Sequence, residues 1–268
     1  MKYRDKEWLQ EQFNEYKTVT NVANKTGYPR TCITRYAKKY GIYESLYTRN
    51  KCNDINENYF KVIDTSEKAY FLGLIMADGN MYLKNNKLQF SIKLKSTDSD
   101  IIYKLSKAVG FDESKLKFHK GTRNGTETIG IELKTYNQVF CENLLNKGIV
   151  PNKTGKESFP AIRDNLKKDF IRGFIDGDGW IGKDRNRIGV ASMSLDIIDQ
   201  ISNHLKEFLK INININKDKN LFRFDIYDKF KVLKILNYLY YNDCISLERK
   251  HELANNTKSR ILNLFGSL

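Results

Sequence analysis

The 268-residue sequence is poor in cysteine, histidine and long apolar runs, and each shortage excludes a class of protein. Its four cysteines contain no Cys-x-x-Cys pair and its three histidines are dispersed, so neither a disulfide framework nor a zinc site is expected. No stretch approaches the ~18 consecutive apolar residues of a membrane span, and the N-terminus lacks an apolar signal core. We therefore expect an intracellular protein, in the cytoplasm of a bacterium or phage-infected cell or in an organelle.

Acidic residues are scarce relative to basic ones. Lys and Arg number 46 against 32 Asp and Glu, which gives a formal net charge of +14. Hydrophobic residues make up 40% of the chain and aromatic residues 12%, enough to form a core and to exclude wholesale disorder. A basic globular chain of this kind favours a nucleic-acid partner, although charge alone is weak support.

The chain divides into three regions by pattern. Residues 1–46 have the periodicity of short helices, whereas residues 47–66 are polar and aperiodic, as a linker would be. Residues 67–268 alternate between helical and strand patterns almost to the end of the chain. We therefore predict a small all-α unit, a linker and a larger α+β region.

The larger region contains an internal repeat. Phe71–Gly79 (FLGLIMADG) is similar to Ile171–Gly179 (IRGFIDGDG), 100 residues downstream. Repetition at this period predicts two structurally similar halves related by pseudo-symmetry, residues 67–160 and residues 161–268. Each half is predicted to run helix, hairpin, helix, hairpin, helix, an αββαββα order.

Strands are predicted where apolar and polar residues alternate, as in Leu88–Lys95, Ile211–Asn216 and Phe222–Ile226. Antiparallel sheets of this kind bury one face on helices and leave the other face free. The free face is rich in Lys, Arg, Gln, Asn and Ser, which suits contact with a nucleic-acid groove. The candidate contacts are Tyr82, Lys84, Gln89, Ser91, Lys93, Lys95, Lys117, His119, Arg123, Lys183, Arg185, Arg187 and Arg223.

Both copies of the repeat place small residues four apart. Gly73 and Ala77 occupy these positions in the first copy, and Gly173 and Gly177 occupy them in the second. Residues four apart share a helix face, and small residues there allow two helix backbones to approach closely. We predict that these four residues form a helix interface.

Each copy then ends at Asp-Gly. Gly79 and Gly179 are expected in the left-handed conformation that stops a helix. Asp78 and Asp178 are then expected close together at the C-terminal ends of two packed helices, where the helix dipole and their mutual repulsion are unfavourable. A divalent cation such as Mg²⁺ resolves that conflict, because it prefers carboxylate, phosphate and water oxygens.

These paired segments resemble the motifs of the LAGLIDADG homing endonucleases in their single-chain, two-repeat form, over roughly residues 67–268. The resemblance implies a saddle of antiparallel sheets over duplex DNA, with the motif helices as the central interface. It also implies a monomer that cuts both DNA strands at a long recognition site with Mg²⁺. Asp78 and Asp178 match the metal ligands. Met76 departs from the motif where Asp176 keeps it, at a position that is not the metal ligand.

Many members of that family also carry a basic catalytic residue after the third helix of each repeat. The matching segments contain Lys153 and Lys250, which are assigned an electrostatic or proton-transfer role. Two ordinary surface lysines are the alternative interpretation.

The N-terminal region resembles a helix-turn-helix. Ala23 stands where the two helices cross, and Gly27 opens the turn four residues later. A small helical cap with a solvated basic face is the alternative. The second helix would project its polar residues into a major groove, and the candidate contacts are Arg30, Thr31, Thr34, Arg35 and Lys38.

The sequence therefore predicts a site-specific double-strand DNA endonuclease with an added helix-turn-helix. One alternative on the same fold is an RNA-binding maturase that assists splicing, with intron RNA as its partner. The other is a regulator that binds DNA without cutting it. Retention of both Asp78 and Asp178 argues against the regulator.

Overall fold

The computed structural model describes residues 1–42, 55–123 and 126–266. The chain forms two compact units, Met1–Asn53 and Asp54–Leu268. No helix within the described ranges is long and apolar enough to cross a membrane.

The first unit is a three-helix bundle. Asp5 and Thr18 begin the first two helices, because their side chains accept hydrogen bonds from Trp8 N and Asn21 N at 2.9 and 3.1 Å. Gly27, at φ 72°, ends the second helix in the left-handed region. The helices are α1 (Lys6–Tyr16), α2 (Val19–Thr26) and α3 (Arg30–Lys39), after a single 3₁₀ turn at Lys2–Arg4.

The second unit confirms the predicted α+β fold and its two repeats. The first repeat comprises α4 (Ser66–Asp78), β1 (Gly79–Lys84), β2 (Lys87–Lys95), α5 (Ser99–Ala108), β3 (Lys117–Arg123), β4 (Thr126–Thr135) and α6 (Gln138–Leu145). The second comprises α7 (Asp164–Asp178), β5 (Gly179–Ile181), β6 (Ile188–Ser192), α8 (Leu195–Leu209), β7 (Asn216–Asp218), β8 (Leu221–Ile226) and α9 (Lys229–Leu239), and is followed by α10 (Glu248–Gly266). Short 3₁₀ helices lie at Ser96–Asp98 and Glu113–Lys115.

The two sheets share one topology. Their strand orders are β1-β2-β4-β3 and β5-β6-β8-β7, and all neighbouring pairs are antiparallel. Residues directly opposite one another lie on the same face. In the first sheet Phe90, Ile92 and Leu133 point to the helical side, and Val190 and Phe224 do so in the second; all five are fully buried. The other face of each sheet is left open.

Residues 55–63 differ from the predicted linker. Ile55, Tyr59, Phe60 and Ile63 are at most 7% exposed and belong to the core of the second unit. The segment was predicted to be aperiodic, although Ile55, Tyr59 and Ile63 recur every four residues. The rest of the predicted linker up to residue 54 lies outside the described residues.

Two further stretches differ from prediction. The alternating isoleucines from Ile211 to Ile215 predict a strand, but that stretch is irregular and β7 covers only Asn216–Asp218. The 19-residue helix α10 was missed. Its buried residues Lys250, Ala254, Thr257 and Ile261 have helical spacing. Two of the four are polar, so the sequence shows no apolar periodicity there.

Candidate active site and nucleic-acid interface

The helices α4 and α7 are in backbone contact at two glycines. A Cβ atom added to Gly73 would overlap the carbonyl oxygen of Phe170 and lie 2.9 Å from Phe174 N. A Cβ atom added to Gly173 would overlap the carbonyl oxygen of Tyr70 in the same way. The helices can cross this closely only because both positions lack a side chain.

The close approach continues to the C-terminal ends of the helices. An added Cβ on Gly177 would collide with the Ala77 side chain and lie 2.9 Å from Asp78 Oδ2. Asp78 is the last residue of α4, and Asp178 is the last residue of α7. The structure therefore places the four small residues at the interface, and the two carboxylates lie at adjoining helix ends, near enough for the Asp78 charge to affect Asp178.

The glycines after these aspartates do not adopt the left-handed conformation, so that prediction was wrong. Gly79 has φ −72° and ψ 150°, and Gly179 has φ −95° and ψ −177°. Both are extended and lead directly into β1 and β5. Glycine is needed there for space, because an added Cβ would lie 2.5 Å from Ile75 O or 2.8 Å from Gly189 O.

The electrostatics of the two carboxylates are unfavourable. Neither accepts a hydrogen bond from another described residue. Burial raises the pKa of Asp78, against an opposing effect of Lys250 and Lys153. Although part of the Asp178 side chain is exposed, desolvation by the surrounding protein raises its pKa to about 6, and the Asp78 charge adds to this. A bound cation would relieve both effects.

Lys153 and Lys250 occupy equivalent places at the two helix ends. Each ammonium donates to backbone carbonyl groups at or just after the end of its helix, and each puts a positive charge at the negative end of the helix dipole. Lys153 donates to Met76 O and Ala77 O at 2.7 and 2.6 Å, and Lys250 donates to Ile175 O, Asp176 O and Gly179 O at 2.5, 2.7 and 2.7 Å.

Both lysines are desolvated. Lys250 is only 3% exposed, and burial lowers its pKa to about 8. Burial also lowers the pKa of Lys153, although Glu157 and the two aspartates raise it. Buried ammonium groups of this kind can stabilise a nearby phosphate through their positive charge.

The donor set fits a hard divalent cation. Asp78 and Asp178 offer carboxylate oxygens that the described residues leave without hydrogen bonds. Across the described chain, no group of three or more His, Cys, Asp and Glu residues is placed to hold a metal ion. Two protein carboxylates with coordination positions left for water and phosphate oxygens are the usual arrangement for Mg²⁺.

The nine candidate contacts of the first repeat share the open face of the first sheet. Tyr82 is paired with Gln89, and Lys93 with Glu132 on β4. Ser91 is only 8% exposed, because it lies between Asn80 and Lys134 on the flanking strands. The exposed contacts are Tyr82, Lys84, Lys93, Lys95 and Lys117; Gln89 and His119 are half-buried, and the Arg123 side chain lies outside the described residues.

Other residues on that face were missed. His119 Nε2 lies 2.8 Å from Glu132 Oε2, so an acidic group accompanies the basic ones. Asn80 and Lys134 face the same way because both pair with Ser91 of β2, and Lys87 of β2 does so because it pairs with Lys84. Continuing the alternation onto β4 would have found Lys134.

The second sheet holds its candidate contacts differently. Lys183 and Arg185 are exposed in the turn between β5 and β6, and Arg223 lies on the open face. Arg187 forms a bidentate ion pair with Asp225. Trp180, Asp225 and Tyr227, which surround Arg187, were not predicted, since nothing in the local pattern shows which residue a distant arginine will meet.

The five candidate contacts of the first unit lie on α3. Arg30, Thr31, Arg35 and Lys38 are exposed, as a groove-facing surface requires. Thr34 is half-buried, and its hydroxyl donates to Arg30 O at 2.9 Å. That hydroxyl is engaged within its own helix.

Comparison with known proteins gives a domain family and a fold. Residues 165–255 match the family described as a LAGLIDADG-like domain. The structure is similar to the LAGLIDADG meganuclease I-AabMI bound to uncleaved DNA, with a TM-score of 0.50, 12% sequence identity, and coverage of 76% of this chain and 92% of that chain. At this identity the likeness shows the fold.

Two proteins of Methanocaldococcus jannaschii are similar in sequence. One is the DNA-directed RNA polymerase subunit Rpo1C, 28% identical over 156 residues, which are 58% of this chain and 17% of that protein. The other is an uncharacterised protein, 21% identical over 178 residues, which are 65% of this chain and 60% of that protein. The chain thus spans less than two thirds of the length of either relative.

Proposed function

This chain carries a LAGLIDADG-like domain on the LAGLIDADG fold, and from that premise we propose that it is a monomeric homing endonuclease that cuts both strands of a specific DNA site with Mg²⁺. One observation carries the proposal. Asp78 and Asp178 meet at two helix ends, and a desolvated lysine caps each end. Two carboxylates and two lysines in matched places suit the cutting of two strands.

Asp78 and Asp178 are the residues that would hold Mg²⁺. When bound, the ion would lower the pKa of a water molecule and would stabilise the leaving oxygen of a phosphodiester. Lys153 and Lys250 are fixed by their carbonyl acceptors, so their charges are oriented before the substrate arrives. Lys250, whose ammonium donates to three carbonyl oxygens, would stabilise negative charge on the phosphate through its own positive charge.

The open sheet faces are the proposed DNA-binding surface. Lys84, Lys93, Lys95 and Lys117 are exposed on one face of the first sheet. Two-stranded ribbons fit the major groove, where base edges are distinguishable, and the net charge of +14 favours the phosphates. The helix α3 adds contacts as a helix-turn-helix would, and removing residues 1–50 should shorten the footprint on DNA.

The experiment begins with duplexes selected for binding from a random pool in EDTA. The selected duplex is then incubated with Mg²⁺. We expect wild type to cut it, and Asp78→Asn and Asp178→Asn to bind it without cutting. Asp243→Asn, an exposed aspartate outside the site, is the matched control and should cut like wild type.

The other outcomes separate the alternatives. Wild type that binds one duplex tightly but leaves it intact in Mg²⁺ overturns the endonuclease and favours a regulator. Wild type that prefers structured RNA to any selected duplex favours a maturase. Cutting at the wild-type rate by Asp78→Asn or by Asp178→Asn would contradict the assignment of these two carboxylates as metal ligands.

A further inference from the structure

An arginine on the open face of the second sheet is held in one orientation. Arg187 Nε donates to Asp225 Oδ1 at 2.7 Å, and Arg187 Nη2 donates to Asp225 Oδ2. The Arg187 guanidinium carbon lies 5.2 Å from the ring centroid of Trp180 and 5.2 Å from that of Tyr227. A planar group fixed by a bidentate pair and two rings has little rotamer freedom left to lose on binding.

Asp225 acts as the support in this cluster. Oδ1 also accepts from Trp180 Nε1 at 3.2 Å, and Oδ2 from the Tyr227 hydroxyl at 3.1 Å. With the two bonds from Arg187, these fill the roughly four acceptor sites of a carboxylate. Burial alone would raise the pKa of Asp225, but these hydrogen bonds outweigh burial and lower it, so the carboxylate stays charged.

Arg187 keeps donors for a ligand. A guanidinium has about five N–H groups, and Asp225 takes two of them. Within the described chain, Nη1 donates to no acceptor, and one N–H of Nη2 is also left over. One third of the Arg187 side chain (33%) is exposed, against 11% for Asp225. The arginine therefore presents a two-pronged end towards the open face.

We propose that Arg187 reads a guanine in the DNA target, an inference that rests on the proposed function. Guanine presents two acceptors, O6 and N7, in the major groove, and their spacing matches the free fork of an arginine. A phosphate also accepts a fork, but the Arg187–Asp225 pair has no net charge, and the Asp225 carboxylate would repel a phosphate. A neutral base edge meets no such repulsion.

The position of that guanine follows from the chain. Gly182 N donates to Arg187 O at 2.8 Å, so Arg187 lies across from Gly182 in the β5–β6 hairpin. Gly182 is four residues beyond Asp178 along an extended segment, a span of about 13 Å. At ~3.4 Å per base step, the guanine is expected within about four base pairs of the cut phosphate.

The nearby pair Arg223–Asp218 shows what a loose arrangement looks like. Its charged atoms are 3.7 Å apart, and its side chains are 42% and 54% exposed. Such a pair does not fix the orientation of the arginine. Arg223 is accordingly expected to contact phosphate or solvent without choosing a base.

The test is selection of duplexes from a random pool in EDTA, with wild type, Arg187→Ala and Arg187→Gln. We expect wild type to require a G·C pair at one position near the cut site, by roughly 5- to 150-fold over other pairs. Both variants should lose that preference and keep every other position. Arg187→Gln should leave the Asp225 carboxylate better paired than Arg187→Ala does, because the glutamine amide can still donate. Thermal melting of both variants checks that they fold.

Two control variants separate base recognition by Arg187 from the general effect of its charge and from the effect of its partner Asp225. Lys183→Ala removes an exposed cation from the same hairpin and should weaken all duplexes alike, with the G·C preference intact. Asp225→Asn leaves Arg187 in place but removes its support, and should reduce the preference.

The outcomes are distinct. Identical selected sites for wild type and both Arg187 variants overturn the guanine assignment while leaving the proposed function standing. Uniform weakening by Arg187→Ala also overturns it, in favour of a phosphate contact. Wild type that enriches no sequence overturns the proposed function and this inference together.

Discussion

The two repeats cap their motif helices in the same way but support them with different residues. In both, a lysine caps the end of a motif helix beside an aspartate. In the second repeat, the buried Asp176 accepts hydrogen bonds from the Tyr70 and Tyr240 hydroxyls at 2.8 and 2.7 Å, and from Leu247 N at 2.8 Å. The first repeat has the buried Met76 at the matching position, and its described residues form no comparable polar network there.

The two repeats also differ earlier in the same helices, where α7 has buried charged residues and α4 has apolar ones. Asp169 and Arg172 form a fully buried ion pair at 2.7 Å, and Arg172 also donates to Leu239 O and Ile245 O. The matching residues of the first repeat are Ala69 and Leu72, both buried. The second repeat thus uses polar bonds to fix the segment leading into α10, from which Lys250 projects. In the first repeat, Lys153 comes from an irregular segment after α6.

The largest effect is expected from a substitution that removes a polar support of the second repeat. Arg172→Ala leaves the Asp169 carboxylate buried and without its cation, and should lower the free energy of unfolding by about 3–5 kcal/mol. The double variant Asp169→Ala/Arg172→Leu reproduces the residues of the first repeat and should recover at least half of that loss. Urea unfolding of both proteins measures this. A double variant less stable than Arg172→Ala would show that the polar network is indispensable.

Substitution of the crossing glycine should destabilise the protein equally in the two repeats. Gly73→Val and Gly173→Val each force a branched side chain into a backbone carbonyl, and each should cost about 3 kcal/mol. Thermal melting compares them, with Gly121→Val as a control in the open sheet, where an added Cβ meets nothing closer than 3.5 Å. Unequal losses at the two crossing glycines would mean that the pseudo-symmetry does not extend to their energetics.

A smaller effect separates Asp176 from Met76. Asp176→Asn cannot accept all three hydrogen bonds and should cost about 1–3 kcal/mol. Met76→Leu conserves volume and should cost less than about 1.5 kcal/mol. Denaturant unfolding checks both, and equal losses would remove the distinction drawn between the two supports.

The smallest expected effect is a pH dependence without metal. Burial raises the pKa of Asp178 to about 6 from its ordinary value of 3.8, so the folded state binds a proton that the unfolded state releases. Stability should therefore fall as pH rises from about 4 to about 6. Asp178→Asn should lose that part of the dependence, and Mg²⁺ should stabilise wild type at neutral pH by binding the folded form. Melting curves across this range measure both effects, and a variant with the wild-type profile would refute the assignment.

Local patterns predicted most of the fold. The strands predicted at Leu88–Lys95 and Phe222–Ile226 lie within β2 and β8, and the small residues Gly73 and Gly173 indicated a close helix crossing. The helix α10 was missed because the buried Lys250 and Thr257 interrupt its apolar period.

The site was predicted less completely than the fold. Asp78, Asp178 and the two lysines came from a repeated motif, and their roles stay predictions. The partnership of Arg187 with Asp225 joins residues 38 positions apart, and the bonds of Asp176 to Tyr70 and Tyr240 span longer distances in sequence. Long-range polar contacts of this kind depend on the packed fold and leave no local periodic signal.

Strand-resolved cutting of a selected duplex tests the central claim most directly, because that claim places one catalytic centre where Asp78 and Asp178 meet. Each strand carries its own label, and both cleavage rates are followed after Mg²⁺ is added to wild type, Asp78→Asn, Asp178→Asn and Asp243→Asn. We expect wild type and Asp243→Asn to cut both strands, and the other two variants to lose at least 100-fold on both, a loss of about 2.7 kcal/mol or more in transition-state stabilisation. Cutting of both strands at the wild-type rate by Asp78→Asn or Asp178→Asn would contradict the account.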